Sequence, residues 1–160
     1  MFDRFRQLVR AHPVIAFYAL AFPLSWRAYL AAAFRPGGEL GLDPYGPLVA
    51  AVVVTALAGG LGGLKSWGRS LLRWRAAPWL YAFALLVPLV LTLVGIAANI
   101  ALGAAPPPAE KWAGWPTLPI VFFFVMVLGG PLGEEPAWRG LALARVAERR
   151  PMLQASLAVG

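Results

Sequence analysis

The stretch Pro119–Gly140, PIVFFFVMVLGGPLGEEPAWRG, decides how this chain is read. It opens as an uninterrupted apolar run and meets Gly129, Gly130 and Pro131. It then presents two adjacent acids, Glu134 and Glu135, and a cation, Arg139. A charged side chain at the centre of a spanning helix costs about 2.5–3.5 kcal/mol on insertion scales. Two neighbouring carboxylates repel each other as well. Such residues persist where they are paired or face a wet cavity. The Gly-Gly-Pro run is expected to break the apolar helix, with Pro136 suited to the first turn of a new one. Irregular backbone at membrane depth is tolerated where it lines a water-filled cavity.

Spacing separates the three charged residues. On a helix, residues four apart share a face, and an acid N-terminal to a base is the favourable order. Glu135 and Arg139 meet both conditions and are expected to neutralise each other. Glu134 is turned about 100° away from Glu135. Its i+4 neighbour is Trp138, which carries no charge, so Glu134 is the acid left over. Buried beside that ring, it would be available to accept or donate a proton. The competing reading makes all three residues interfacial charges at the cytoplasmic end of the span, with no chemistry.

The whole composition places this stretch in a membrane. Of the 160 residues, 60% are hydrophobic and 13% charged. Ordinary soluble domains are about 45–50% apolar and about 25% charged. The apolar excess comes in blocks of the length that crosses a bilayer, about 18 residues or more. The absence of cysteine excludes a disulfide framework and any thiolate metal site. The net charge of +7 sits between apolar blocks, so it points to topology and anionic lipid; no nucleic-acid partner is expected. Arg4, Arg6 and Arg10 resemble the basic start of a signal peptide. The apolar block after them is too long for one, however, and Trp26, Arg27 and Tyr29 stand where a small-residue cleavage site would be.

The expected fold is therefore all-α: a multi-pass transmembrane helix bundle forming a single membrane-embedded domain over residues 1–160. Four spans are expected, at about 13–34 (interrupted by Pro23, Ser25 and Arg27), 48–64, 78–103 and 117–133, with Met152 opening a fifth. RPGGELGLDPYGP and APPPAEKWAGWP read as loops, and Trp112 and Trp115 suit a membrane interface. Bases concentrate at the N-terminus, in Lys65–Arg75 and in Arg145–Arg150, whereas the other two loops balance or favour acids. Basic loops face the cytoplasm, which puts the N-terminus inside and gives four spans without conflict. The loops are too short to hold a soluble catalytic domain. Any chemistry must then occur in or at the cell membrane.

At GEEPAWRG the sequence also resembles the first motif of the CPBP intramembrane proteases, which include type II CAAX prenyl endopeptidases and bacteriocin-processing or self-immunity (Abi) proteins. The family pattern Glu-Glu-x-x-x-Arg is met by Glu134, Glu135 and Arg139. The resemblance implies a metalloendopeptidase, acting on a peptide or membrane-protein substrate, in which Glu134 activates the attacking water while Glu135 and Arg139 organise the site. It also implies a divalent metal, zinc, with two later histidine motifs needed as ligands or oxyanion donors. No histidine follows Arg139, and the only one is His12. Against that pattern the chain reads as truncated after the first motif, with most metal ligands missing, and inactive alone.

Other residues carry weaker expectations. His12 reads as an ordinary interfacial residue. Arg27, inside the first apolar block, reads as snorkelling to the outer interface, with pairing to Glu134 or Glu135 as the alternative. Thr55, Thr92 and Asn99 suit hydrogen bonds between helices, and the glycines of AGGLGGL suit close helix packing. KSWGRSLLRWR resembles an interfacial amphipathic stretch. Two non-enzymatic functions compete with proteolysis: a membrane scaffold or immunity protein using the acids only structurally, and a transporter fragment with a coupling carboxylate.

Overall fold

The computed structural model describes residues 1–34, 41–108, 110 and 114–159. The loop expected at 35–40, the charge of Lys111 and the interfacial role of Trp112 lie outside the described residues. Among those described, the structure is helical throughout and has no strand. Two compact units are distinguished, Met1–Arg73 with Phe122–Gly160, and Trp74–Val121.

In the first unit, α1 (Phe2–Ala11) carries Asp3 in its first turn and Arg10 in its last, the arrangement that complements the helix dipole. His12 ends it, and Pro13 starts α2 (Pro13–Ser25) at a position where its missing N–H costs nothing. The two helices meet at 102°. The apolar block 13–34 is divided at the expected interruption. Pro23 has no N–H to donate to the preceding turn, α2 stops at Ser25, and α3 (Arg27–Phe34) resumes beyond Trp26.

Helix α4 (Gly46–Leu71) is longer than the expected 48–64 and takes in Lys65 and Arg69. It is broken at Gly60, whose φ of 61° and ψ of −157° are open to glycine alone. Gly59, Gly60 and Gly62 have no neighbour within 4 Å of where a Cβ would stand. The run AGGLGGL therefore makes a kink, and Gly63 beyond it comes close to Thr55 of the preceding half, where a Cβ would stand 3.2 Å from the Thr55 carbonyl oxygen. The kink is held from outside. Arg6 Nε donates to the Leu57 carbonyl at 3.3 Å, and Arg10 Nε to the Ala58 carbonyl at 2.7 Å. Both acceptors lie in the turn just before the break, and both donors lie one turn apart on α1.

The chain of the motif begins with a short turn at Trp115–Thr117 and α6 (Leu118–Leu128). It continues through α7 (Pro131–Ala137), a widened π-helical turn at Trp138–Leu143, α8 (Ala144–Ala147) and α9 (Met152–Val159). The buried core of the first unit is rich in alanine: Phe17 and Ala21 of α2 meet Ala50, Ala51 and Val54 of α4 and Ala137, Leu141 and Ala142 of the motif segment. Small side chains let backbones approach closely, which is the main source of helix association where no water drives it.

The second unit contains α5 (Pro78–Ala101), entered through extended Ala77 and started by Pro78. Thr92 and Asn99 donate to the Pro88 and Gly95 carbonyls of the same helix, at 2.8 Å each, instead of bridging helices. The expected partner of Thr55 is also missing among the described residues, where its buried hydroxyl makes no hydrogen bond.

Two helices, α4 with 26 residues and α5 with 24, are long and apolar enough to cross a membrane. At about 1.5 Å per residue α5 exceeds the roughly 30 Å of a hydrocarbon core, while α4 is divided at Gly60 into two shorter straight pieces. The number rises to four if each bent pair, α1 with α2 and Trp115–Leu128 with Pro131–Ala147, counts as one span.

Candidate functional site

The acidic motif sits where the apolar helix is broken. Gly130 has a φ of 115°, the chain turns by 54°, and Pro131 occupies the first position of α7. The expected break is present, but Pro131 and not Pro136 starts the new helix. Pro136 lies inside α7. Its ring removes one N–H from the ladder, and the helix widens within two residues. The register still brings residues four apart together.

The segment Asp43–Gly46 holds this break in place. A Cβ on Gly133 would run into the Pro44 carbonyl and stand 3.0 Å from Tyr45 Cα. On the other side of the same segment, a Cβ on Gly46 would stand 2.5 Å from Ser25 N. The loop is thus pressed between the end of α2 and the start of α7, with glycine at both contacts. Asp43 ties it further. Its N–H donates to Ser25 O at 2.8 Å, and its Oδ1 accepts from Tyr45 N at 2.9 Å. The Tyr45 hydroxyl donates to the Val127 carbonyl, one turn before the break. Sequence reasoning passed over Asp43, Tyr45 and Gly46. Their available signal is an Asp three residues before a helix start, the residue type that bonds the backbone two positions on.

On the opposite side, Trp138 anchors the motif. Its ring meets Phe17 edge-on at 4.9 Å between centroids and lies 5.4 Å from Tyr18. At Gly140 the end of α4 closes in, since a Cβ there would stand 2.6 Å from Leu71 Cδ2 and 3.3 Å from Trp67 Nε1. Trp67 and Leu71 belong to the stretch expected to lie along the interface; here they pack on the motif.

Glu135 and Arg139 form the pair that their spacing predicts, with Arg139 Nε 2.7 Å from Glu135 Oε2. Both side chains remain substantially exposed. They line an open cleft of about 470 Å³ together with Trp138, Leu143, Ser156 and Val159. Glu134 is not among the residues lining it. Its carboxylate turns back toward Gly130, where a Cβ would stand 3.3 Å from Glu134 Oε1 and 3.1 Å from Pro44 Cβ. Glu134 is exposed, where burial beside Trp138 was expected. Among the described residues it has no ion pair. Arg27 does not pair with either glutamate. It pairs with Asp43 at 2.7 Å.

The donors present do not by themselves fit a divalent metal. Among the described residues no three of His, Cys, Asp and Glu gather around a common point. One of the two adjacent carboxylates is already engaged by Arg139, and His12 lies at the α1–α2 bend with Arg10, Arg145 and Arg149. What the site does with its own residues is hold Glu135 and Arg139 as a neutral pair and leave the Glu134 carboxylate exposed beside Gly130. No protein-family model, characterised protein or solved structure matches this chain.

Proposed function

We propose that this chain belongs to a glutamate-dependent intramembrane endopeptidase of the CPBP type. In this reading it is a multi-pass protein of the cell membrane with four spans, the start of a fifth and a cytoplasmic N-terminus. The observation that carries the reading is the division of the two acids at a broken apolar helix: Glu135 is bound to Arg139, and Glu134 has no cation among the described residues. Glu134 accepts a proton from water, the hydroxyl oxygen bonds to the scissile carbonyl carbon, and the C–N bond breaks as the proton passes to the leaving amine. The substrate class is a membrane-associated peptide, such as a prenylated C-terminal segment or a leader peptide.

The test is peptide cleavage in proteoliposomes, with zinc, by a form of the protein that carries the two histidine motifs this reading requires, beside its Glu134→Ala variant. A positioned general base contributes about 10²–10⁴-fold, and that loss is expected with unchanged folding. Cleavage by Glu134→Ala at the rate of the unaltered chain would remove the role given to Glu134. One observation favours a second reading, a non-catalytic scaffold or immunity protein: the 470 Å³ cleft lies on the Glu135–Arg139 face and leaves Glu134 outside. Such a protein keeps its partner in Glu134→Ala and loses it in Arg139→Ala.

A further inference from the structure

Two cavities away from the acidic motif adjoin at the bend between α1 and α2. The first, of about 430 Å³, lies between this bend and the segment around α8. It is lined by Arg10, His12, Arg145, Arg149 and Arg150, with Glu148 as the one acid. The second, of about 460 Å³, is apolar and lies between α1, α2 and α4, with Phe5, Leu8, Ala19, Leu20 and Leu57 in its walls. His12 and Ile15 line both.

The basic cavity has positive charge to spare. Glu148 is taken by Arg145 at 3.2 Å, and Arg10 spends only its Nε on the Ala58 carbonyl. Arg149 and Arg150 make no ion pair among the described residues. The setting supplies the depth. Helix α1 is amphipathic and meets α2 at 102°. A helix with that composition lies in the headgroup layer with its apolar face toward the acyl chains. The basic cavity then stands at headgroup level, and the apolar one opens beside it toward the hydrocarbon.

We infer that the α1–α2 corner binds one anionic phospholipid, with its phosphate among Arg10, Arg145, Arg149 and Arg150 and one acyl chain along Ile15 into the apolar cavity. Guanidinium forks match phosphate oxygens two at a time. A free phosphate would use only the first cavity and a neutral lipid only the second. The junction at His12 and Ile15 suits a molecule that carries both chemistries. The proposal is independent of any proteolytic role.

The experiment is native mass spectrometry of the full chain released from mixed micelles holding equal dioleoylphosphatidylglycerol and dioleoylphosphatidylcholine. Thermal unfolding is followed in parallel with each lipid or with inorganic phosphate. One retained phosphatidylglycerol, in preference to phosphatidylcholine, is expected, with a rise in unfolding temperature that inorganic phosphate does not reproduce. Surface cations contribute roughly five-fold each to anionic lipid binding, so Arg149→Gln with Arg150→Gln should cut the preference roughly 25-fold. Ala19→Trp, which fills the apolar cavity and keeps every cation, should lose the adduct too. Equal retention of the two lipids, an undiminished preference in the double variant, an adduct that survives in Ala19→Trp, or equal protection by inorganic phosphate would each overturn the proposal.

Discussion

The first unit contains two glycine breaks in apolar helices, at Gly60 of α4 and at Gly129–Gly130 between α6 and α7. They look alike in sequence and are built differently. At Gly60 the need is conformational: φ is 61° and the space around it is open. At the motif a positive φ at Gly130 is joined by crowding, because Gly133 admits the Pro44 backbone where a Cβ would be. Yet both breaks solve one shared problem. A helix interrupted in an apolar setting leaves carbonyls without their own N–H partners, and each orphan there is costly. In α4 the carbonyls of Leu57 and Ala58 accept from Arg6 and Arg10. At the motif the Val127 carbonyl accepts from Tyr45. The difference teaches that a Gly-Gly pair marks a break, while the element that arrives to satisfy it decides what the break is for. The α4 break docks a surface helix. The motif break presents two acids.

Adding a methyl group to each break tests this contrast most strongly. Gly133→Ala drives a Cβ into the Pro44 backbone, which has no rotamer with which to give way, and should cost about 3 kcal/mol or more. Gly60→Ala meets no atom and carries only backbone strain, about 1–3 kcal/mol. Unfolding midpoints in detergent should rank the two in that order. A Gly133→Ala protein as stable as the parent would mean that the Asp43–Gly46 segment does not press on α7.

Removing the side chains that satisfy the carbonyls should have smaller effects. Tyr45→Phe leaves the partly buried Val127 carbonyl without its donor, at about 1–2 kcal/mol. Arg10→Ala frees the Ala58 carbonyl at an exposed position, where water can replace the guanidinium, and should cost less than about 1 kcal/mol. Hydrogen exchange should separate them further. Arg10→Ala should speed exchange in α1 and leave α7 unchanged, and Tyr45→Phe should do the reverse. Exchange that rises in both helices in either variant would merge the two breaks into one cooperative unit.

What was legible in the sequence follows the same line. Local signals read correctly: the helical character of the chain, the break before Pro131, and the Glu135–Arg139 pair are fixed by residues within four positions of each other. What the sequence leaves unread are partners far away in the chain. Arg27 finds Asp43 across the 35–40 segment, Arg10 finds Ala58, and Tyr45 finds Val127. No periodicity announces those meetings, because they depend on how α2, α4 and the motif pack. The glycines of AGGLGGL serve both ends, since Gly60 makes the kink and Gly63 comes close to the Thr55 backbone across it. Glu134 is the instructive case at the site. Its separation from Glu135 follows from helix geometry, but its exposed position against Gly130 depends on the bend.

The smallest effect is the most discriminating for α4. Gly62 lies two residues past the break, in a stretch with helical backbone and nothing within 4 Å of a Cβ. If the glycine run exists only to allow the kink, Gly60 alone is needed for it. Gly62→Ala should then raise stability by up to about 1 kcal/mol, the helix propensity that glycine gives up to alanine. If the run were instead a close-packing surface for another helix, the same methyl would destabilise. The sign of one unfolding shift therefore decides whether α4 carries a bend or an interface at this point. The answer also bears on the α1 corner, since Arg6 and Arg10 reach α4 one turn before this position.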